Sequence, residues 1–364
     1  MSLPHDTAEH MILHSQASIL IVGAGPVGLC AGVRLLQDGL QVRILDSGVR
    51  GAGWASGGML APLYEMAADP ACPDAYLQFA MESAALWLEL AKAGDIALQS
   101  PTLFLARGDG ECHALEKLAI RAAAHGLEVR SANVPKALNA MAAFEAPNER
   151  ALEPRAALKC LSTLFQSLGG EFVQGQAQKI GPNWVELTSG TKLEFDRIIL
   201  ANGFGAARLA DSVPITSALR PVKGQMLRVA HADLSSPILR AGRLYFLSRQ
   251  GSLVIGATSD PLALADTTVD VDPILVLLAE AKALLPSVAR APVVEAWAGL
   301  RPATPDSRPL VGATSQAGVF LATGTYRNGW LLAPAIGSYI SQLISGRTLD
   351  QDLTSLLAPM RFSS

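Results

Sequence analysis

The chain has 364 residues, half of them hydrophobic, with 29 Lys and Arg against 32 Asp and Glu for a formal charge of −3. That balance offers no basic stripe for nucleic acid, and despite a mean hydropathy of +0.29 no apolar run reaches the roughly 18 residues a membrane-spanning helix needs. The length suits one large domain or two medium ones with a generous core.

The chain opens with a polar stretch holding His5, His10 and His14, which has no signal-peptide or arginine-rich character and reads as a tail. Ile19 to Val22 is an apolar run leading into "GAGPVGL". Val27, Cys30, Ala31 and Leu35 then recur at helical spacing until Gly39 offers a C-cap, and a second apolar run, Val42 to Leu45, ends at Asp46. Strand, glycine turn, helix, strand is a βαβ unit. Helical patterns follow over Ala75 to Lys92 and Glu111 to His125. "FDRIILANGFGA", from Phe195, is a buried strand that ends in a glycine loop. "VKGQMLRVA" (Val222 to Ala230) and "GRLYFLSRQGSLVIGAT" (Gly242 to Thr258) read as antiparallel strands, the second a hairpin turning at Arg249 to Gly251. After a helix over Ile274 to Leu285, "GVFLATGTYRNG" from Gly318 again runs from strand into glycine loop. Three strands of this form are what a nucleotide-binding α/β sheet places at its carboxyl edge. We expect an α/β fold with a discontinuous nucleotide domain at 16–78, 147–214 and 306–360, and an inserted mixed or antiparallel-sheet substrate domain at 79–146 and 215–305. Cys30, Cys72, Cys112 and Cys160 form no C-x-x-C pair, which suits reduced thiols in a cytoplasm and no metal site.

Gly23-x-Gly25-x-x-Gly28, which also includes Pro26 and Val27, fits the dinucleotide fingerprint. The first glycine allows the tight turn, the second lets a pyrophosphate approach, and the third lets helix and strand pack closely. Alone the motif is weak and could be a mere packing turn. Here it follows a strand, and Asp46, 23 positions after Gly23, can accept from a ribose hydroxyl. The small-residue loop "SGVRGAGWASGGML", with Ser56, Gly57 and Gly58, suits a long, permanently bound cofactor. The loop at Arg327 to Gly329 precedes a helix with Leu332, Ile336, Tyr339 and Leu343 on its core face, whose N-terminus can stabilise negative charge on a reduced flavin ring. FAD is therefore the expected cofactor. One further residue needs a partner: Arg301, between Leu300 and Pro302 in "WAGLRPATPDSRPLVG", is costly to bury without an anion.

"ILIVGAGPVGL", "WASGGMLAP", "RPVKGQMLR", "LVIGAT", "WAGLRPATPDSRPLVG" and "ATGTYRNGWLLAPA" together resemble the D-amino-acid oxidase superfamily of FAD enzymes, most closely its branch of glycine oxidases of thiamine biosynthesis. The resemblance runs from about Ile19 to Ile344. It implies a Rossmann-like FAD domain of the glutathione-reductase type. Arg301 matches the arginine that clamps the substrate carboxylate, Tyr245 a tyrosine on the same carboxylate, and Arg327 a second arginine near the site. Asp46 stands where a glutamate is usual, and Val173 matches the residue whose backbone holds the adenine. Ser47, Ala55, Ser56, Gly58, Met59, Ala201, Asn202, Gly203, Asn328, Gly329, Trp330 and Leu331 fall in the segments that would contact the cofactor. Arg243 departs from the family's histidine, and Trp330 replaces a smaller aliphatic residue beside the flavin, so pocket size and charge can differ.

The resemblance implies hydride transfer from the substrate α-carbon to flavin, which needs a neutral amine and good alignment but no obligatory side-chain base. The products would be an imino acid, then oxo acid and ammonia, with hydrogen peroxide if oxygen reoxidises the flavin. No cysteine lies in the C-terminal flavin motifs, so a non-covalent cofactor is expected. Small amino acids or amines and oxygen are the expected partners, without nucleic acid or membrane, in the cytoplasm; oligomeric state is left open. Two alternatives remain: a D-amino-acid or cyanide-forming glycine dehydrogenase with another acceptor, and a non-catalytic FAD redox module. His113, His125 and His231 lie outside every motif and read as surface residues.

Overall fold

The computed structural model describes residues 18–69, 71–230 and 238–362. His5, His10, His14 and the expected tail, and likewise His231, lie outside the described residues.

The strand Ser18–Val22 lies between Arg197–Leu200 and Gln41–Asp46, parallel to both. Glu171–Gln174 extends the sheet beyond Gln41–Asp46, Val319–Thr323 extends it beyond Arg197–Leu200, and Leu310–Ala313 adds an antiparallel edge. The central strands read SILIV and RIIL and are buried along almost their whole length, as strands covered on both faces must be. The three glycine-loop strands are thus neighbours, and their loops meet at one edge.

Helix Pro26–Gln37 covers one face with Pro26 in its first turn, and Gly39 follows its C-cap with φ +84. Helix Gly329–Ile344 packs beside it at Gly337, where an added Cβ would lie 3.0 Å from the Cys30 carbonyl. Leu332, Ile336 and Tyr339 are buried there, and Leu343 packs at the margin of the same core. Helix Asp74–Ala93 joins this core through Phe79, Ala80 and Trp87. The expected boundary between residues 78 and 79 falls inside this helix, which packs with the helices on the first sheet. The physical reason is the apolar face of Asp74–Ala93, which buries against Gly329–Ile344. Trp87 Nε1 donates to the Trp330 carbonyl at 2.7 Å. Trp87→Phe is expected to cost about 1–2 kcal/mol, read as a lower melting temperature, because it leaves a buried carbonyl unpaired.

The second sheet has eight strands in the order Val293–Ala303, Arg220–Ala230, Ser252–Gly256, Leu244–Arg249, Ile238–Ala241, Thr102–Ala106, Ala142–Ala146 and Arg130–Ala132. All pairs are antiparallel except Ile238–Ala241 with Thr102–Ala106. The hairpin forms as its pattern predicts, with Gly251 at φ +68 in the turn. Alternation then separates two faces: Leu227, Phe246 and Ile255 pack under helix Val271–Leu284, whereas Met226, Tyr245 and Val254 join Ala55 and Trp297 on the other. The second face turns toward the loop at residues 51–60 that leaves the first sheet. Among the described residues no helix is long and apolar enough to cross a membrane.

Candidate active site

Gly23 has φ +110, and its N–H donates to the Leu45 carbonyl at 2.8 Å. A Cβ there would strike the Asn202 backbone at 2.7 Å, and one at Gly28 would sit 2.0 Å from the Gly23 carbonyl oxygen. Gly25, by contrast, has nothing within 4 Å of its Cβ position: the fingerprint is closed at its first and third glycines and open at its second. Pro26 and Val27 begin the helix whose N-terminus borders that opening. The Asp46 carboxylate accepts from Ala24 N at 3.2 Å and from Gly48 N at 3.0 Å, which fixes it at the strand end beside exposed Ser47. Val173 stands opposite Leu45 on the next strand. Ala201, Asn202 and Gly203 continue the strand on the other side, and the buried Asn202 Oδ1 has no hydrogen-bond partner. An open cradle, a fixed acceptor and an orphaned polar atom along one edge fit a dinucleotide.

The loop after Asp46 leads to the second sheet. Ala55 packs on Gly299, and its carbonyl accepts from Trp297 Nε1 at 2.7 Å. Ser56 Oγ donates to the Gly53 carbonyl at 3.0 Å. Gly58, at φ +72, brings its backbone against Leu152, leaving no room for a side chain. Trp330 Nε1 donates to the Gly53 carbonyl at 2.9 Å, so the tryptophan expected beside the flavin ties the N-terminus of Gly329–Ile344 to this loop. Asn328 Nδ2 donates to the Tyr76 hydroxyl at 3.4 Å, and Leu331 is buried.

Between the loop and the second sheet lies an open cleft of about 900 Å³, counting its mouth, lined among others by Met59, Tyr64, Tyr245, Thr258, Arg301 and Arg327. The guanidinium of Arg301 lies flat against Gly224, where a Cβ would be 2.4 Å from Nη2, and Nη2 donates to the Thr258 carbonyl at 3.1 Å. Arg301 enters no ion pair among the described residues, although carboxylates elsewhere hold Arg327, Arg243 and Arg361. Tyr245 packs against Gly57 and Gly256, and its hydroxyl meets the Met226 sulfur at 3.4 Å. Burial pushes its phenol up to about 12, so it stays a neutral hydrogen-bond donor. Arg327 Nε stands 3.5 Å from Glu65 Oε1, with its guanidinium carbon 5.0 Å from the centre of the Tyr64 ring. Arg243 precedes the strand that carries Tyr245 and borders the cleft, but its guanidinium pairs with Glu280 and its side chain is 65 % exposed.

Four polar residues of this region had no sequence motif: Tyr64, Glu65, Glu149 and Arg240. Glu149, just before the strand Arg150–Leu152, accepts from Leu63 N at 2.8 Å and so holds the turn that carries Tyr64 to the cleft. Burial pushes its carboxyl up to about 8 from its ordinary 4.5, against the pull of Arg240. A carboxyl that keeps its proton longer when folded loses stability as pH rises, here between about 4.5 and 8. The melting temperature of the native protein should fall more steeply over that interval than that of Glu149→Gln. Parallel curves would remove Glu149 as the cause.

The family model described as FAD dependent oxidoreductase matches residues 18–343. The chain belongs to that family. It is 30 % identical to the glycine oxidase of Pseudomonas aeruginosa over 362 aligned residues, covering 90 % of this chain and 95 % of that protein. It is also 30 % identical to the bifunctional protein ThiO/ThiG of Synechocystis, where the match covers 96 % of this chain and 55 % of the relative. The crystal structure of glycine oxidase from Geobacillus kaustophilus superposes with a TM-score of 0.83 at 26 % identity, covering 94 % and 98 % of the two chains. The resemblance to the D-amino-acid oxidase superfamily stands, and this FAD-dependent oxidoreductase is an enzyme of the amino-acid oxidase type.

Proposed function

We propose that the cleft oxidises glycine or a similar small amino acid or amine to the imino acid, which water converts to oxo acid and ammonia. Oxygen would reoxidise the cofactor to give hydrogen peroxide, and the imine would serve thiazole formation in thiamine biosynthesis. The observation that carries this reading is Arg301: a preorganised guanidinium with no anionic partner among the described residues, lying in a cleft beside the dinucleotide edge. We further assign the first sheet, with the helices on its face, to the FAD unit and the second sheet to the substrate unit.

Gly23 to Gly28, Asp46, Val173 and the Ala201 to Gly203 turn would hold the dinucleotide, and the N-terminus of Gly329–Ile344 would face its ring with partial positive charge. FAD, when bound, supplies the acceptor for the electron pair leaving the substrate α-carbon. The chain's own work is orientation. Arg301 meets the substrate carboxylate with two parallel N–H groups, and Tyr245 donates a third hydrogen bond to it. The same positive potential favours loss of the ammonium proton, giving the neutral amine that oxidation requires.

Anaerobic addition of glycine, N-methylglycine or D-alanine should bleach the visible flavin band, and a peroxide assay in air separates an oxidase from a dehydrogenase. A flavin that none of these amines reduces would end the small-amine reading. Acid precipitation should leave the yellow colour in the supernatant, because the expected linkage is non-covalent. Tyr245→Phe should raise KM by about 2–10-fold, the worth of one hydrogen bond, without changing the alkaline side of the pH profile.

A further inference from the structure

Arg240 lies in the apolar strand Ile238–Ala241 and is only 3 % exposed. It stands opposite Tyr245 on one neighbouring strand and Phe104 on the other. Its guanidinium carbon is 3.8 Å from the centre of the Tyr64 ring and 5.8 Å from that of Tyr245, and Nη2 meets the Met59 sulfur. Met59, Tyr64 and Tyr245 all line the cleft, so one buried cation backs three of its walls.

Arg240 enters no ion pair among the described residues, and its buried Nε has no hydrogen-bond partner. The charged and titratable groups that face it are Tyr64 and Glu65 from the helix Pro62–Ala68, Glu149 from the loop before Arg150–Leu152, and Tyr245 from the adjacent strand. Glu149 is raised to about 8 by burial, so it holds its proton more firmly than an ordinary carboxyl. Glu65 is raised by burial as well and lies nearer Arg327. Burial lowers the affinity of Arg240 for its proton, yet a guanidinium remains charged in water-accessible pH ranges. Arg301 and Arg327 line the cleft and Arg240 lies behind its Tyr64 wall, while Glu65 stands 3.5 Å from Arg327. One substrate carboxylate on Arg301 leaves positive charge over, and through a low-dielectric wall such a charge is felt strongly.

We propose that Arg240 is a specificity-determining residue that makes the cleft prefer amines bearing a second carboxylate, such as amino dicarboxylic acids or N-carboxymethyl amino acids, over glycine. The cation acts across Tyr64, by its field and by holding that ring. This deepens the amine-oxidising reading and rests on the same cleft being the substrate site. Arg243 is a poorer source of the preference, since Glu280 already holds it at the exposed rim.

The test is calorimetric titration of the FAD-loaded enzyme with malonate and with acetate, which carry two carboxylates and one and have no amine to oxidise. Malonate should bind at least about tenfold tighter. Arg240→Met should lose about tenfold for malonate with acetate changed less than about twofold, Arg240→Lys should keep most of the preference, and Arg243→Ala should leave it intact. In turnover, Arg240→Met should raise KM for N-carboxymethylglycine at least about fivefold more than it raises KM for N-methylglycine, with kcat for both affected alike. Equal binding of the two anions by the native enzyme overturns the proposal. So does a uniform loss for both in Arg240→Met, which would make the residue a support for Tyr64 alone. If the Met variant does not fold, Arg240→Gln takes its place and is read against the same two outcomes. Malonate selectivity without flavin reduction by any amine would uphold the charge preference and reject the amine-oxidising reading, so the two fail separately.

Discussion

Arg301→Ala should lower kcat/KM by about 100-fold or more, a loss of about 3 kcal/mol, while flavin content and melting temperature stay near native. The size follows from what the side chain does in the free protein. Its one side-chain hydrogen bond among the described residues goes from Nη2 to the Thr258 carbonyl, so alanine removes little that folding uses. In the complex it would remove two of the three hydrogen bonds proposed for the substrate carboxylate, and the α-carbon would then lose its fixed position. Arg301→Lys should recover only part of the loss, because an ammonium cannot make the paired contact. Rapid mixing under anaerobic conditions measures the reductive half-reaction directly. An alanine variant that reduces its flavin at the native rate at all substrate concentrations would remove Arg301 from the site.

Gly28→Ala should cost about 3 kcal/mol and strip the purified protein of most of its FAD. The added Cβ would lie 2.0 Å from the Gly23 carbonyl oxygen and 3.3 Å from Ile21 Cγ2. Gly23 cannot retreat, since it is itself pressed against Asn202, and so the helix would have to lift from the sheet. Gly25→Ala makes the contrast. Nothing in the chain lies near its Cβ, so the apoprotein should melt as the native one does, yet the methyl would stand where phosphate oxygens approach. The ratio of flavin to protein absorbance and the melting temperature of both forms separate the two cases. Equal behaviour of the variants would contradict the assigned roles of the second and third glycines.

The fingerprint, the three strands ending in glycine loops and the hairpin around Gly251 were legible because each is local: periodicity and turn chemistry lie within a few residues. Arg301 was legible for a different reason, a charge flanked by residues that belong inside. Arg240 carries the same signal, in ILRA, but that short stretch abuts the hairpin and has no motif around it. Tyr64, Glu65 and Glu149 reach Arg240 and Arg327 only through tertiary packing across large separations in sequence, and no spacing rule reports such meetings. Helix Asp74–Ala93 shows the related limit: its period reveals an apolar face without saying which neighbour that face meets. Arg243, where the family's histidine would stand, pairs with Glu280, 37 positions away.

The planar end of Arg301 rests on bare backbone at Gly224, a residue directly opposite Gly299 in the paired strands. Because its height above the sheet is set by main chain and its rotation is checked by Thr258, the side chain has given up its rotamer freedom before any ligand arrives. Most surface arginines would lose that entropy on binding, at roughly 0.5–1.5 kcal/mol each. Here folding has already met the cost, and a small substrate with few contacts of its own can still be held.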